Sequence, residues 1–386
     1  MNDIASILVL ASWFGILPTT ALAYITYFFY QRTSLRSLNS PPPADDPLII
    51  QVTTIGNPTV NTIIRRIRAL NLSLPYQIWV VVDEPYKKEL GYDPDKLIIV
   101  PSDFRAEAAR YKARALEYAR LFRLKLVERG ELSRYKVLYL DDDSCPTKEF
   151  IQDSWNKNVD LLEGMICPGN KYGSIASYLD NVRTFTCLTV CSFFQGTSHP
   201  VWIHGESMTV SDRVDKQVSW DMPLVASEDL AYGQEAVARG FKMWFTYSRV
   251  NITSPLSLKD FIKQRRRWVW GNFHAIRRLL TVPQKIRLLF FYVNALFVMP
   301  ISIVAILFLM LGELEVPQVI YALTVAGFGF WLILWGIAGY LTRFRLRDVF
   351  VSIALSLVSS MFDFGISIVA LAKGQPRGFE VIRKEV

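Results

Sequence analysis

Apolar residues in this chain gather at its two ends and leave a mixed, charge-bearing middle. From Ile4 to Tyr30 no side chain carries a charge. A helix of that length exceeds the roughly 20 residues needed to cross a bilayer core. Residues 1–31 therefore read as an N-terminal transmembrane anchor. Ala21-Leu22-Ala23 looks like a signal-peptidase site, but Asp3 precedes the apolar run, no basic residue does, and the run continues through Phe28, Phe29 and Tyr30. Arg32 and Arg36 follow it, which predicts that the next domain lies on the cytoplasmic side. Near the other end, within 286–373, three more spans are expected at about 288–312, 316–341 and 349–372. Glu313 and Glu315 occupy the first short loop, whereas Arg343, Arg345 and Arg347 place the second loop inside. Residues 374–386 form a short tail.

Between the ends the period changes. Pro41-Pro42-Pro43 with Asp45 and Asp46 reads as a stiff linker. Short runs rich in Ile and Val at 48–53, 78–82, 97–100 and 137–140 are bounded by Pro, Gly or Asp and read as strands. Helical stretches at 60–70 and 105–127 separate them, and this alternation predicts an α/β domain over 48–255 with a mainly parallel sheet. A partly apolar helix over 172–192, strand character at 201–210, a helix over 230–238 and a strand at 242–250 complete it. Residues 256–276 alternate as an amphipathic helix, so 256–280 is expected in the headgroup plane.

Charge narrows the partners. The net charge is +8, from 43 Lys and Arg against 35 Asp and Glu, and many of the basic residues sit at span edges. That distribution suits anionic headgroups or a nucleoside diphosphate. No nucleic-acid-binding module or basic-aromatic sheet motif is present. Cys145, Cys167, Cys187 and Cys191 lack C-x-x-C spacing, so they read as buried thiols in a reducing compartment, with neither a zinc site nor a disulfide framework.

Four stretches carry candidate chemistry. Asp141-Asp142-Asp143-Ser144 follows the fourth strand, at the carboxyl edge where open α/β sheets bind ligands. Alternation along an extended strand would aim Asp141 and Asp143 at one hard divalent ion, Mg²⁺ or Mn²⁺; an acidic turn in water is the plain alternative. Asp83, after the second strand, offers another acceptor near that edge. Ser227-Glu228-Asp229 reads as an N-cap with two acids in the first helical turn, which capping alone would explain. The chemical reading makes Asp229 a general base. His204-Gly205-Glu206 interrupts a strand pattern, where a glycine marks a bulge or the close approach of a ligand. Lastly, Gln264-Arg265-Arg266-Arg267-Trp268 supplies guanidinium forks for a polyphosphate, with Trp268 and Trp270 as aromatic walls or interface anchors. A positive flank to a membrane span is the simpler account of the arginines.

Taken in order, Asp83, Lys112-Ala113-Arg114-Ala115-Leu116, Asp141-Asp142-Asp143, Ser227-Glu228-Asp229 and Gln264-Arg265-Arg266-Arg267-Trp268 resemble the motifs of membrane-integrated glycosyltransferase family 2. That family includes the cellulose, chitin and hyaluronan synthases. Val100-Pro101-Ser102-Asp103-Phe104 and the unbroken arginine run look most like its egghead-type β-mannosyltransferase branch. The resemblance implies a GT-A (Rossmann-like) domain and inverting, metal-dependent transfer of a hexose from GDP-mannose or UDP-glucose to a lipid-linked or glycolipid acceptor. Asp83 and Lys112 would bind the donor nucleotide, Asp141 and Asp143 its diphosphate through the metal, and Asp229 would deprotonate the acceptor hydroxyl. Gln264, Arg267 and Trp268 would line the acceptor and pyrophosphate region. His204, Glu206, Glu228 and Trp270 are further acceptor-contact candidates. A processive polysaccharide synthase and a catalytically silent membrane scaffold are the rival readings. One conflict stands: four spans put the C-terminus outside, whereas residues 378–384 resemble a cytoplasmic tail of this family.

Overall fold

The computed structural model describes residues 2–30, 46–84, 91–169, 173–375 and 382. The proline linker at 41–43 with Asp45, Arg32 and Arg36, and the tail motif at 378–384 apart from Ile382, lie outside the described residues.

An N-terminal helix, α1 (Asn2–Ile25), leads to the first strand, β1 (Leu48–Thr54). Helix α2 (Thr59–Ala69), β2 (Tyr76–Asp83), β3 (Lys96–Val100), α3 (Tyr111–Glu128) and β4 (Lys136–Asp141) follow. Four short apolar strands thus pair in parallel in the order β3-β2-β1-β4, with Thr53 opposite Asp141 at the carboxyl edge. Every residue of β1 is buried, as expected of a strand covered on both faces.

The second half of the sheet is mixed. Strands β5 (Ser144–Pro146), β6 (Leu161–Gly169), β7 (Met208–Ser211) and β8 (Met243–Thr253) extend it as β4-β7-β6-β8-β5, with β7 antiparallel to both neighbours. Strand β6 has no counterpart in the sequence reading, because Glu163, Gly164 and Pro168 break its apolar run. Gly164 is required there: a Cβ would stand 2.5 Å from the Phe150 ring. The strand expected at 201–210 shrinks to β7, since Gly205–Ser207 forms a 3₁₀ turn. The helix expected over 172–192 divides into Ile175–Leu179, Val182–Thr186 and a π-helical turn at Cys187–Cys191.

Buried charge ties the halves together. The Arg123 guanidinium reaches both Asp215 oxygens, at 2.7 and 2.8 Å, and Tyr135 and Tyr139 donate to the same carboxylate. With neither charge exposed, each is tolerable only because the other is present.

After a helix at Glu228–Ala238 (α4), helix α5 (Leu258–Arg278) runs along the domain, capped by the Ser257 hydroxyl accepting from Asp260 N–H at 3.1 Å. Among the described residues, three helical segments are long and apolar enough to cross a membrane: Ser6–Phe28, Val282–Met310 (α6) and Gln318–Arg343 (α7). The last helix, α8 (Leu346–Lys373), passes that test only if its two arms, bent by 43°, count as one span. Both of its ends touch the domain. Tyr178 donates to Asp348 at 2.6 Å near the start, and Arg266 donates to the Gly374 carbonyl at 2.9 Å just past the end. A straight crossing would carry one end about 42 Å from the other, away from the domain.

Candidate active site

Helix α5 sorts the arginine run by its 3.6-residue period. Gln264, Arg267 and Trp268 fall on one face and line a cavity of about 300 Å³. Arg265 also reaches the cavity wall, but it is buried between Asp180 at 2.9 Å and Asp363 at 3.4 Å. Arg266 turns to the C-terminal carbonyls of α8. Trp270 donates to the Ala370 carbonyl at 3.0 Å and is absent from the cavity wall, so among the described contacts it braces α8 instead of facing an acceptor. Trp268 stays in the wall, with the Arg265 and Arg183 guanidinium carbons 4.5 and 5.0 Å from its ring centre.

Opposite that face stand Lys112, Asp141, His204, Glu206, Glu228 and Asp229. Lys112, at the start of α3, forms an ion pair with Asp141 at the end of β4 and lies 3.8 Å from Glu228. Burial alone would lower the Lys112 pKa, but Asp141, Glu228 and Asp229 outweigh it and hold the ammonium charged. Strand β4 stops at Asp141, and residues 142–143 turn into β5, so Asp141 and Asp143 do not share an extended strand as expected. Asp142 points away: its carboxylate accepts from Thr54 at 2.8 Å and its carbonyl from Thr59 at 2.6 Å. Asp143 is buried next to the cavity-lining Asp141 turn without itself reaching the wall. Asp83 is also outside the wall, paired with Arg114 at 3.2 Å. The hard oxygens of Asp141 and Asp143 fit a divalent cation in donor type.

Ser227 does not act as the expected N-cap. Its backbone is left-handed, with φ 61°, and its side chain makes no capping bond. Such strain is found where the surroundings fix it. Here α5 presses on the turn at Gly271, where a Cβ would lie 2.5 Å from Ser227 Oγ and 2.8 Å from the Ala226 carbonyl oxygen. The turn presents Asp229, whose carboxylate accepts from Gly205 N–H and Leu230 N–H, each at 2.8 Å. Burial, then the Glu228 charge, pushes the Asp229 carboxyl up to about 7, against the pull of Lys112. The close approach at Gly205 is thus made by this chain's own carboxylate: a Cβ there would meet Asp229 Cβ at 2.8 Å.

Two flanking pairs complete the wall. Arg183 bonds Glu206 and, against the effect of burial, holds its carboxyl below the usual range. His204 Nδ1 faces Glu163; burial would lower the imidazole pKa, but that carboxylate raises it to about 9. Arg183 and Glu163 were not among the sequence candidates. Glu163 is the single charge inside the strand 161–169, which is the signal that marks it, whereas Arg183 follows Asp180 closely and carries no such signal.

Residues 136–343, more than half of the chain, match the model of glycosyl transferase family group 2, and the chain belongs to that family. It is 23% identical over 235 residues to the β-1,4-mannosyltransferase egh of Drosophila melanogaster, covering 58% of this chain and 50% of that protein. To the β-1,4-mannosyltransferase bre-3 of Caenorhabditis briggsae it is 24% identical over 190 residues, 45% of this chain and 40% of that one. The chain therefore spans about half the length, or less, of these curated relatives. Among solved structures, the mannosyltransferase PcManGT from Pyrobaculum calidifontis, in complex with GDP-Man and Mn²⁺, aligns with a TM-score of 0.45 and 16% identity over 92% of this chain and 99% of that one. Glucosyl-3-phosphoglycerate synthase from Mycobacterium tuberculosis, in complex with Mn²⁺, UDP and phosphoglyceric acid, aligns with a TM-score of 0.36 and 13% identity over 58% of this chain and 77% of that one.

Replacing Gly205 by Ala should displace the Asp229 carboxylate while the fold survives. We expect a loss of turnover on the order of 10²-fold with a cooperative melting transition retained; unchanged turnover would show that the Gly205–Asp229 approach is immaterial.

Proposed function

We propose that this chain is an inverting glycosyltransferase that moves a hexose from a nucleotide-sugar to a hydroxyl of a lipid-borne acceptor. One observation carries the reading: Lys112, Asp141, Asp229, Gln264, Arg267 and Trp268, drawn from four distant stretches, line a single cavity. The names of the curated relatives favour mannose as the sugar and a β linkage, so GDP-mannose is the first donor to test and UDP-glucose the next. The same cavity is lined by Leu296 of α6 and by Asp363 and Ser367 of α8, so apolar helices form part of its wall. That shared wall supports an acceptor held at a membrane surface. Addition of single sugars is favoured over polymer synthesis, because three or four spans give one chain little material for a polymer channel.

The chemistry follows from the groups present. Asp229, poised near neutrality, takes the proton of the acceptor hydroxyl as that oxygen attacks the anomeric carbon. The bond from that carbon to the phosphate oxygen breaks on the opposite face, and the nucleoside diphosphate leaves with the electron pair. Lys112 and Arg267 stand where cations offset the charge that accumulates on it. Mg²⁺ or Mn²⁺ held by Asp141 and Asp143 would supply further neutralisation of the donor phosphates. Asp83, paired with Arg114 at the end of β2, is assigned to the nucleoside side of the donor.

For localisation we propose a membrane protein with a cytoplasmic catalytic domain. Segments 6–28, 282–310 and 318–343 cross the bilayer, and α8 lies along the domain at its surface. This count returns the chain end to the catalytic side and removes the conflict between four spans and a cytoplasmic tail.

Two outcomes test these assignments. Asp229→Asn should keep donor affinity within a few-fold and lose transfer by about 10²–10⁴, and wild-type transfer should rise with pH through about 7 as this carboxyl loses its proton. Near-wild-type transfer by the variant would remove Asp229 as base. A cysteine introduced by Gly374→Cys should react with an impermeant thiol reagent only from the side of the catalytic domain; labelling from the opposite side would make α8 a full crossing.

A further inference from the structure

The thiols that looked inert in the sequence acquire a setting in the fold. Cys187 and Cys191 stand four residues apart on the π-helical turn, whose Cys187 carbonyl accepts from Ser192 N–H. Such turns are rare and recur at functional sites. The two sulfurs and an imidazole nitrogen of His204 all lie within 4.8 Å of one another. Both cysteines are fully buried, and His204 is largely so.

We propose that Cys187, Cys191 and His204 bind a thiophilic divalent cation, zinc by preference, at a site separate from the carboxylates of the donor-diphosphate cation. Tetrahedral zinc has Zn–S of about 2.3 Å and Zn–N of about 2.0 Å, so its ligand atoms stand roughly 3.5–3.8 Å apart. From separations of up to 4.8 Å, the cluster therefore needs closure by at most about 1.3 Å. Its surroundings match the support that zinc ligands require. His204 Nδ1 is engaged by Glu163, which leaves Nε2 to the metal and fixes the ring. Glu163 is itself fully buried and accepts from Gln195 at 2.9 Å, and Gln195 also donates to the Trp202 carbonyl at 2.8 Å. Two thiolates cancel the charge of Zn²⁺ and His204 binds as a neutral imidazole, which leaves the Glu163 carboxylate, bonded to His204 and Gln195, as the charge next to the ligands.

Soft sulfur and imidazole donors discriminate against Mg²⁺ and Mn²⁺, which prefer the oxygens of Asp141 and Asp143. Three protein ligands leave one coordination position, and His204, as part of the cavity wall, gives the ion a route in. The site would join the π-helical turn to the His204-Gly205-Glu206 segment, whose Gly205 N–H holds Asp229. It is thus a cross-link beneath the proposed base, and it stands whether or not the glycosyl-transfer reading does.

The test uses the full chain purified in detergent from zinc-supplemented cells. Elemental mass spectrometry should find about one zinc per chain that survives washing with excess Mg²⁺. Exchange with Co²⁺ should give a thiolate-to-cobalt charge-transfer band. Cys187→Ser and Cys191→Ser should each lose the zinc and the band, whereas Asp141→Asn should keep both. Zinc-free wild-type protein whose Co²⁺ spectrum lacks the thiolate band would overturn the site, leaving His204 and Glu163 as a simple ion pair beside neutral thiols. Zinc retained in both serine variants would overturn it equally, by placing the metal elsewhere. If the serine variants fail to fold, the wild-type cobalt spectrum alone decides.

Discussion

The cavity exists because opposite charges hold one another out of bulk water. Lys112 sits among Asp141, Glu228 and Asp229, and Arg183 answers Glu206 a few residues away in space. Arg183, Glu206 and Glu228 are largely buried, where an unpaired charge costs several kcal/mol, whereas Lys112 and Asp141 stay partly exposed. Together they fix a turn that places Ser227 in a left-handed conformation and aims Asp229 at Gly205. Burial, and after it the neighbouring Glu228 charge, raises the Asp229 carboxyl to about 7, a value suited to proton transfer at physiological pH.

Helix α5 distributes the rest of the work. Three successive arginines look alike in sequence, yet a helix sends them in three directions. Arg265 goes to the buried acids Asp180 and Asp363, Arg266 to the end of α8, and Arg267 to the cavity. The run is therefore neither simply a positive flank nor simply a phosphate clamp. Two members tie the domain to the last apolar helix, and the third lines the cavity. This division explains how a domain built from a soluble-type sheet can share a wall with helices suited to a bilayer.

Much of this was legible in the chain, for a physical reason. The parallel half of the sheet is covered on both faces, so its strands at 48–54, 76–83, 96–100 and 136–141 appear as short, mainly apolar runs. Helix α5 showed because its period survives the charges. Strand β6 did not, because a buried Glu, a Gly beneath Phe150 and a Pro serve tertiary contacts that local pattern cannot express. Likewise Ser227 matched the composition of a cap while its backbone, pushed by Gly271, excluded one. Trp270 and Trp268 were indistinguishable by type and spacing, and only the packing of α8 separates them. Cys187 and His204 lie too far apart in sequence for their proximity to be read from spacing.

The account rests on one cavity receiving the donor's pyrophosphate between strand-edge carboxylates and the arginine of α5. The most direct measurement is an experimental structure of the full chain with Mn²⁺ and a guanosine or uridine diphosphate bound. The account predicts the diphosphate in this cavity, with the ion on Asp141 and the Arg267 guanidinium on phosphate oxygens. A nucleotide bound on any other surface, with Asp141 and Arg267 both out of contact with it, would contradict the account.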